Sequence, residues 1–198
     1  IFDEVITGFR LAFGGAQEYF GVIPDMVTLG KVIGGGFPIG AFAGKREIME
    51  MVAPYGKVYQ AGTFSGNPMS VVAGLSTLRT IRNIGKSFYA DLEKKRKKIC
   101  DRIHEVAEEH NYPIQINSVA SMFQIFFFES EIYNYEIARK ADKERFMVYH
   151  RKLLENGIFI PPSQFETCFI SSAHSEKDVE RTAEAIIESL NHVMRDSG

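Results

Sequence analysis

The sequence predicts an α/β layer followed by a small α+β domain, and three features predict it. Up to about residue 84, short apolar runs alternate with glycine-rich turns, the texture of strands that feed loops at a sheet edge. Residues 85–110 then place apolar side chains at helical spacing without a break. Beyond them, short strands are followed by helices, the order of an α+β unit. The division is 1–84 for part of a large domain, 85–110 for a long connecting helix and 111–198 for the small domain.

Taken in order, residues 2–7 read as a short buried strand, 26–29 as a second ending at Gly30-Lys31, and 39–43 as a third. Pro68 suits a first helical position, and a helix over 69–81 puts Val72, Leu75 and Leu78 on one side. In the 86–110 helix Phe88, Leu92, Ile99, Ile103 and Val106 form the inward stripe. The run from Glu93 to Lys98 reads as its solvated face. Residues 114–116 and 121–128 read as strands, and 143–156 as a helix ended by Gly157 in the left-handed region. Short strands are expected at 158–160 and 169–171. Ser175-x-x-Asp178 then opens a final helix with Val179, Ala183, Ile186, Leu190 and Val193 inward.

The 198 residues are 45% hydrophobic, 24% charged and 12% aromatic, which excludes a disordered or collagen-like chain. Lys+Arg of 23 against Asp+Glu of 25 gives a net charge of -2, so nothing asks for nucleic acid or an anionic membrane as partner. Cys100 and Cys168 form no C-x-x-C pair, and a reducing, cytoplasmic setting is expected. The longest apolar stretch, near 122–128, contains Gln124 and is too short to span a bilayer. The opening Ile1-Phe2-Asp3-Glu4-Val5 reads as the middle of a strand, so an upstream portion is expected.

Lys31 stands first among residues that could do chemistry. It follows a strand and precedes Gly34-Gly35-Gly36, where α/β sheets place ligands and no side chain blocks approach. A lysine there can form a Schiff base; alone, it is also an ordinary surface lysine. Asp3 is an acid in an apolar strand, fitted to a cationic partner such as a ring nitrogen, or equally to Arg10 or backbone donors. Gly62-Thr63-x-Ser65-Gly66 could cradle a phosphate or be a plain turn, and it lacks the Walker ending. The five histidines show no metal-ligand spacing, so no metal is expected, and there is no G-x-S-x-G elbow.

Together, Phe2-Asp3-Glu4-Val5, Gly8-Phe9-Arg10, Pro24-Asp25, Leu29-Gly30-Lys31, Gly34-Gly35-Gly36 and Gly62-Thr63-Phe64-Ser65-Gly66-Asn67-Pro68 resemble the class III aminotransferases of fold-type I. Tyr59-Gln60-Ala61-Gly62-Thr63, Pro161-Pro162-Ser163-Gln164-Phe165-Glu166 and Ser172-Ala173-His174 resemble the glutamate-1-semialdehyde 2,1-aminomutase branch of that family. The resemblance implies a large, mainly parallel-sheet domain with a small C-terminal domain and a pyridoxal 5'-phosphate cofactor that cycles through its pyridoxamine form. It implies that Lys31 binds the cofactor and shuttles protons. Asp3, expected to be buried, would pair with the ring nitrogen, and Val5 would pack on one ring face. Gly62 and Thr63 would reach the phosphate in the neighbouring subunit of a homodimer, and Glu166 would stand near cofactor and lysine.

The implied reaction is an intramolecular amino exchange that makes 5-aminolevulinate, the tetrapyrrole precursor, so the chain is expected to serve an isomerase of porphyrin biosynthesis. The family's upstream phosphate loop, stacking aromatic, carboxylate-binding arginine and gating loop are not in this sequence. The isolated chain is therefore expected to be inactive. Two alternatives remain: an ω-aminotransferase using a keto acid acceptor, and a non-catalytic scaffold of the same fold.

Overall fold

The computed structural model describes residues 1–195. In chain order the elements are β1 (Phe2–Glu4), α1 (Gly15–Phe20), β2 (Met26–Gly30), a 3-10 turn (Lys31–Gly34), β3 (Gly40–Gly44), α2 (Arg46–Met49) and α3 (Pro68–Ile84). There follow α4 (Lys86–Glu109), β4 (Gln115–Val119), β5 (Met122–Phe126), α5 (Tyr135–Ala138), α6 (Lys143–Glu155), β6 (Cys168–Phe169) and α7 (Glu176–Arg195). The chain divides into two compact units, Ile1–Tyr89 and the residues from Ala90 onward.

In the first unit, β1 runs parallel to β2, and β3 returns antiparallel on the other side of β2. The first strand is shorter than the expected 2–7. Beyond Glu4 the chain turns back, and Gly8 N–H donates to Glu4 O at 2.9 Å, so Val5 to Thr7 leave the ladder. Pro68 sits at the first turn of α3, and Asn67 caps it by accepting from Met69 N and Ser70 N at 3.0 and 3.2 Å. The buried face of α3 is Ser70, Gly74 and Ile81, whereas Val72 and Leu75 are exposed.

In the second unit, β4, β5 and β6 form an antiparallel sheet in that order. All five residues of β5 are buried, which fits a central strand covered on both faces. Ile99, Ile103, Phe146, Leu153, Ile186 and Leu190, from α4, α6 and α7, form the best-shielded part of the core. The Ser175–Asp178 capping box is present: Asp178 N–H donates to Ser175 Oγ at 3.2 Å and Ser175 N–H to Asp178 Oδ2 at 2.8 Å. Gly157 closes α6 at φ 77°, as its position in the sequence predicts.

Two further expectations need correction. Residues 158–160 form no strand; Ile158 N–H completes the end of α6 by donating to Leu153 O at 2.9 Å. The basic run on α4 is only partly solvated. Lys95 and Arg96 are buried, Lys95 pairing with Asp91 at 2.8 Å. Arg96 spans back to the β4–β5 turn, where Nε donates to Ala120 O and Nη1 to Ser118 Oγ, both at 3.1 Å. Ala120 holds that two-residue turn at φ 49°, unusual for a residue with a Cβ, and the guanidinium fixes its carbonyl.

Candidate active site

Lys31 follows β2 directly. Gly30 is fully extended, and Lys31 then enters the left-handed region at φ 48° before the chain coils into the 3-10 turn. A long side chain at positive φ is held there only when its surroundings over-determine it, and such residues cluster at functional sites. Lys31 is exposed, and its Nζ makes no hydrogen bond or ion pair with the described residues. The amine is therefore free to meet a ligand.

The parallel neighbour, β1, brings Asp3 opposite Thr28. Asp3 Oδ1 accepts from Val5 N–H at 3.0 Å and Thr28 Oγ1 at 3.2 Å, while Oδ2 has no partner among the described residues. Val5 is half-buried against the end of β2: its Cγ1 lies 3.3 Å from where a Cβ on Gly30 would stand. Asp3 and Val5 lie on β1 and just beyond it, and Lys31 follows the parallel neighbour β2, so all three stand toward the carboxyl ends of adjacent parallel strands.

The expectation that Asp3 is buried is corrected: it is exposed. Strand alternation sends neighbouring side chains to opposite faces, and it is Glu4, at 1% exposure, that points inward. The Glu4 carboxylate accepts from Ala16 N–H at 2.6 Å, Gln17 N–H at 3.2 Å, Gln17 Nε2 at 3.1 Å and Thr7 Oγ1 at 3.0 Å. Burial pushes its pKa up, but these donors together outweigh burial and hold it below the usual carboxylate value. Glu4 fastens β1, and with it Asp3, to the first turn of α1.

Gly62 and Thr63 lie on an exposed turn just ahead of α3, with Ser65 N–H donating to Gly62 O at 3.0 Å and Asn67 N–H to Phe64 O at 3.0 Å. With residues 38–40, this turn lines an open cavity of about 580 Å³ that Lys31 does not line. The Thr63 hydroxyl takes no partner among the described residues.

Glu166 belongs to the second unit and sits exposed on the loop before β6, its N–H donating to Ser163 O at 3.0 Å. The loop is anchored from beneath. Gln124, on central strand β5, donates from Nε2 to Gln164 O at 2.8 Å, and Gln164 Nε2 reaches Ala141 O at 3.3 Å. Sequence reasoning assigned no role to Glu4, Gln124 or Gln164. For Glu4 and Gln124 the signal available was a polar residue inside an apolar strand, which must find a partner once buried; Gln164, on a loop, carried no such signal. Among the described residues no group of three His, Cys, Asp or Glu could hold a metal, and no helix is long and apolar enough to cross a membrane.

The family model for class-III aminotransferases matches residues 1–193. Among curated proteins, the chain is 56% identical over all 198 residues to the glutamate-1-semialdehyde 2,1-aminomutase of Methanobrevibacter smithii, covering 46% of that protein. It is 54% identical over 186 residues to the protein of that name from Methanocaldococcus jannaschii, covering 94% of this chain and 43% of that one. The chain therefore spans less than half the length of these relatives. Among solved structures, an omega-transaminase from Sphaerobacter thermophilus superposes with TM-score 0.84 at 28% identity, over 98% of this chain and 44% of that one. A structure titled as a transaminase with PLP bound gives TM-score 0.83 at 27% identity, covering 98% of this chain and 44% of that one.

Proposed function

The chain belongs to the class-III aminotransferases, and on that premise we propose that it is the lysine-bearing, C-terminal portion of a glutamate-1-semialdehyde 2,1-aminomutase. The enzyme would convert (S)-glutamate 1-semialdehyde to 5-aminolevulinate by intramolecular amino exchange. The observation that carries this reading is the 56% identity to a protein of that name over the whole chain.

The residues fit pyridoxal phosphate. A free lysine amine at a strained strand end, a carboxylate with one oxygen open and an apolar side chain against Gly30 stand toward the carboxyl ends of two parallel strands. The cofactor, when bound, supplies the electron sink. Lys31 Nζ would hold the cofactor through its aldehyde and would be the group that carries a proton between neighbouring carbons of the substrate. Asp3 would hold the ring nitrogen through its open Oδ2, with Oδ1 already fixed by Val5 N–H and Thr28 Oγ1. Val5 would pack against one face of the ring.

Gly62 and Thr63 would hold the phosphate of a neighbouring subunit's cofactor in a homodimer. The family resemblance alone would give Glu166 a place near the cofactor, and an upstream portion would supply the remaining phosphate and substrate-carboxylate donors. The setting is cytoplasmic.

The runner-up, an amino transfer to a keto acid, draws on the omega-transaminase likeness. Incubating the full-length polypeptide with glutamate 1-semialdehyde and no keto acid separates the two. The aminomutase turns over repeatedly. A transaminase stops after one equivalent, and that result would refute the proposal.

A further inference from the structure

The backbone of Lys31 is strained, and something must hold it so. The turn it opens, Lys31–Gly34, buries Ile33 and Gly34 and lies against α3. The two elements meet backbone to backbone through a reciprocal pair of glycines. On α3, a Cβ at Gly74 would collide with Ile33 O, far inside van der Waals contact. On the turn side, Gly35 stands at φ 57°, where a Cβ would come within 2.6 Å of both Ala73 O and Thr77 Oγ1. One helical turn earlier, buried Ser70 donates from Oγ to Pro38 O at 2.9 Å. A single stripe of α3, Ser70, Gly74 and Thr77, thus lies against the chain that follows Lys31, at Ile33, Gly35 and Pro38.

A glycine inside a 17-residue helix is costly unless something uses its missing side chain. Here the gap admits the carbonyl of the residue two places after Lys31.

We propose that Gly74 is a positioning residue for Lys31: its missing side chain lets α3 seat the Lys31–Gly34 turn so that the amine stands at the substrate-facing edge. The inference rests on the reading of Lys31 as the lysine that binds the cofactor. Any side chain at position 74 must push the turn by roughly 1 Å, a misplacement that can cost on the order of 100-fold in a positioned reaction.

The test uses the full-length polypeptide stripped of cofactor, to which pyridoxal phosphate is added. Lys31 Nζ attacks the aldehyde carbon, water leaves, and the imine absorbance gives the rate. Gly74→Ala is compared with Gly44→Ala, whose Cβ would come within 2.5 Å of Asp25 O opposite Met26, at the far end of β2 from Lys31. Both variants strain the unit and should lose melting temperature alike. Only Gly74→Ala should slow imine formation, by about 10–100-fold, with a matching fall in kcat and KM within about twofold.

Equal imine rates in the two variants would overturn the role of Gly74 while leaving that of Lys31 standing. Absence of an imine at Lys31 in the unaltered protein would overturn both, and is seen before any variant is made. Should Gly74→Ala not fold, Ser70→Ala carries the test: loss of its bond to Pro38 should slow imine formation about threefold, within what one hydrogen bond supplies, and an unchanged rate would overturn the proposal.

Discussion

Replacing Glu4 with alanine strands two backbone donors, Ala16 N–H and Gln17 N–H, which have the carboxylate as their partner in the first turn of α1. An unsatisfied donor costs about 1–3 kcal/mol, so the pair costs about 2–6 kcal/mol. Because α1 is only part-buried, water recovers some of this, and about 3 kcal/mol is expected. For a chain of this size that is a fall of about 6–12 °C in melting temperature. The assay is thermal unfolding followed by circular dichroism, with amide exchange across residues 15–20 as the local probe. Glu4→Gln keeps an acceptor and should lose less.

The pH dependence follows from the lowered carboxyl value. The stabilisation is complete above the ordinary value of 4.5 and is lost as pH falls through the lower folded value. Glu4→Gln should therefore remove that part of the acid sensitivity. A Glu4→Ala protein that melts within about 1 °C of the parent would refute the reasoning, since it would mean water serves those donors as well as the carboxylate does.

Gln124→Leu removes the donor to Gln164 O and should raise amide exchange at residues 164–166 about fivefold, corresponding to one lost hydrogen bond of about 1 kcal/mol; unchanged exchange would show that the loop has another anchor. Both cysteines are buried, and burial pushes the Cys168 thiol up to about 12 and the Cys100 thiol above its usual value. Neither should react with iodoacetamide at pH 8 before unfolding, and stoichiometric labelling of the folded chain within minutes would contradict that. Asp3→Asn should lower kcat by at least about 100-fold, as loss of a charge aimed at the reacting system does, with little change in melting temperature; a rate within threefold of the parent would remove Asp3 from the site.

Periodicity read out the elements whose signals are local. The five inward residues of α7 and its Ser175 cap could be named from the sequence because a helix repeats every 3.6 residues and its cap lies within one turn. Parity in a three-residue strand was not legible. Two adjacent acids, Asp3 and Glu4, give no hint of which faces inward, since that depends on α1 arriving twelve residues later. The burial of Arg96 was equally hidden, because its partners at Ser118 and Ala120 are more than twenty residues away and look like ordinary turn residues. Residues 158–160 read as a strand because a short apolar run is the same in a strand and in a packed connection. At the site, glycines and a strand end pointed to Lys31, but its left-handed backbone and its seat on Gly74 come from tertiary contact alone.

The central claim is that Lys31 is the residue that holds the cofactor. Reducing the full-length polypeptide with borohydride in the presence of pyridoxal phosphate, then digesting it and sequencing the labelled peptide by mass spectrometry, tests this directly. The account predicts one pyridoxyl group per chain, on Lys31, lost entirely in Lys31→Ala. A label on any other lysine of the unaltered protein, or none, would contradict it.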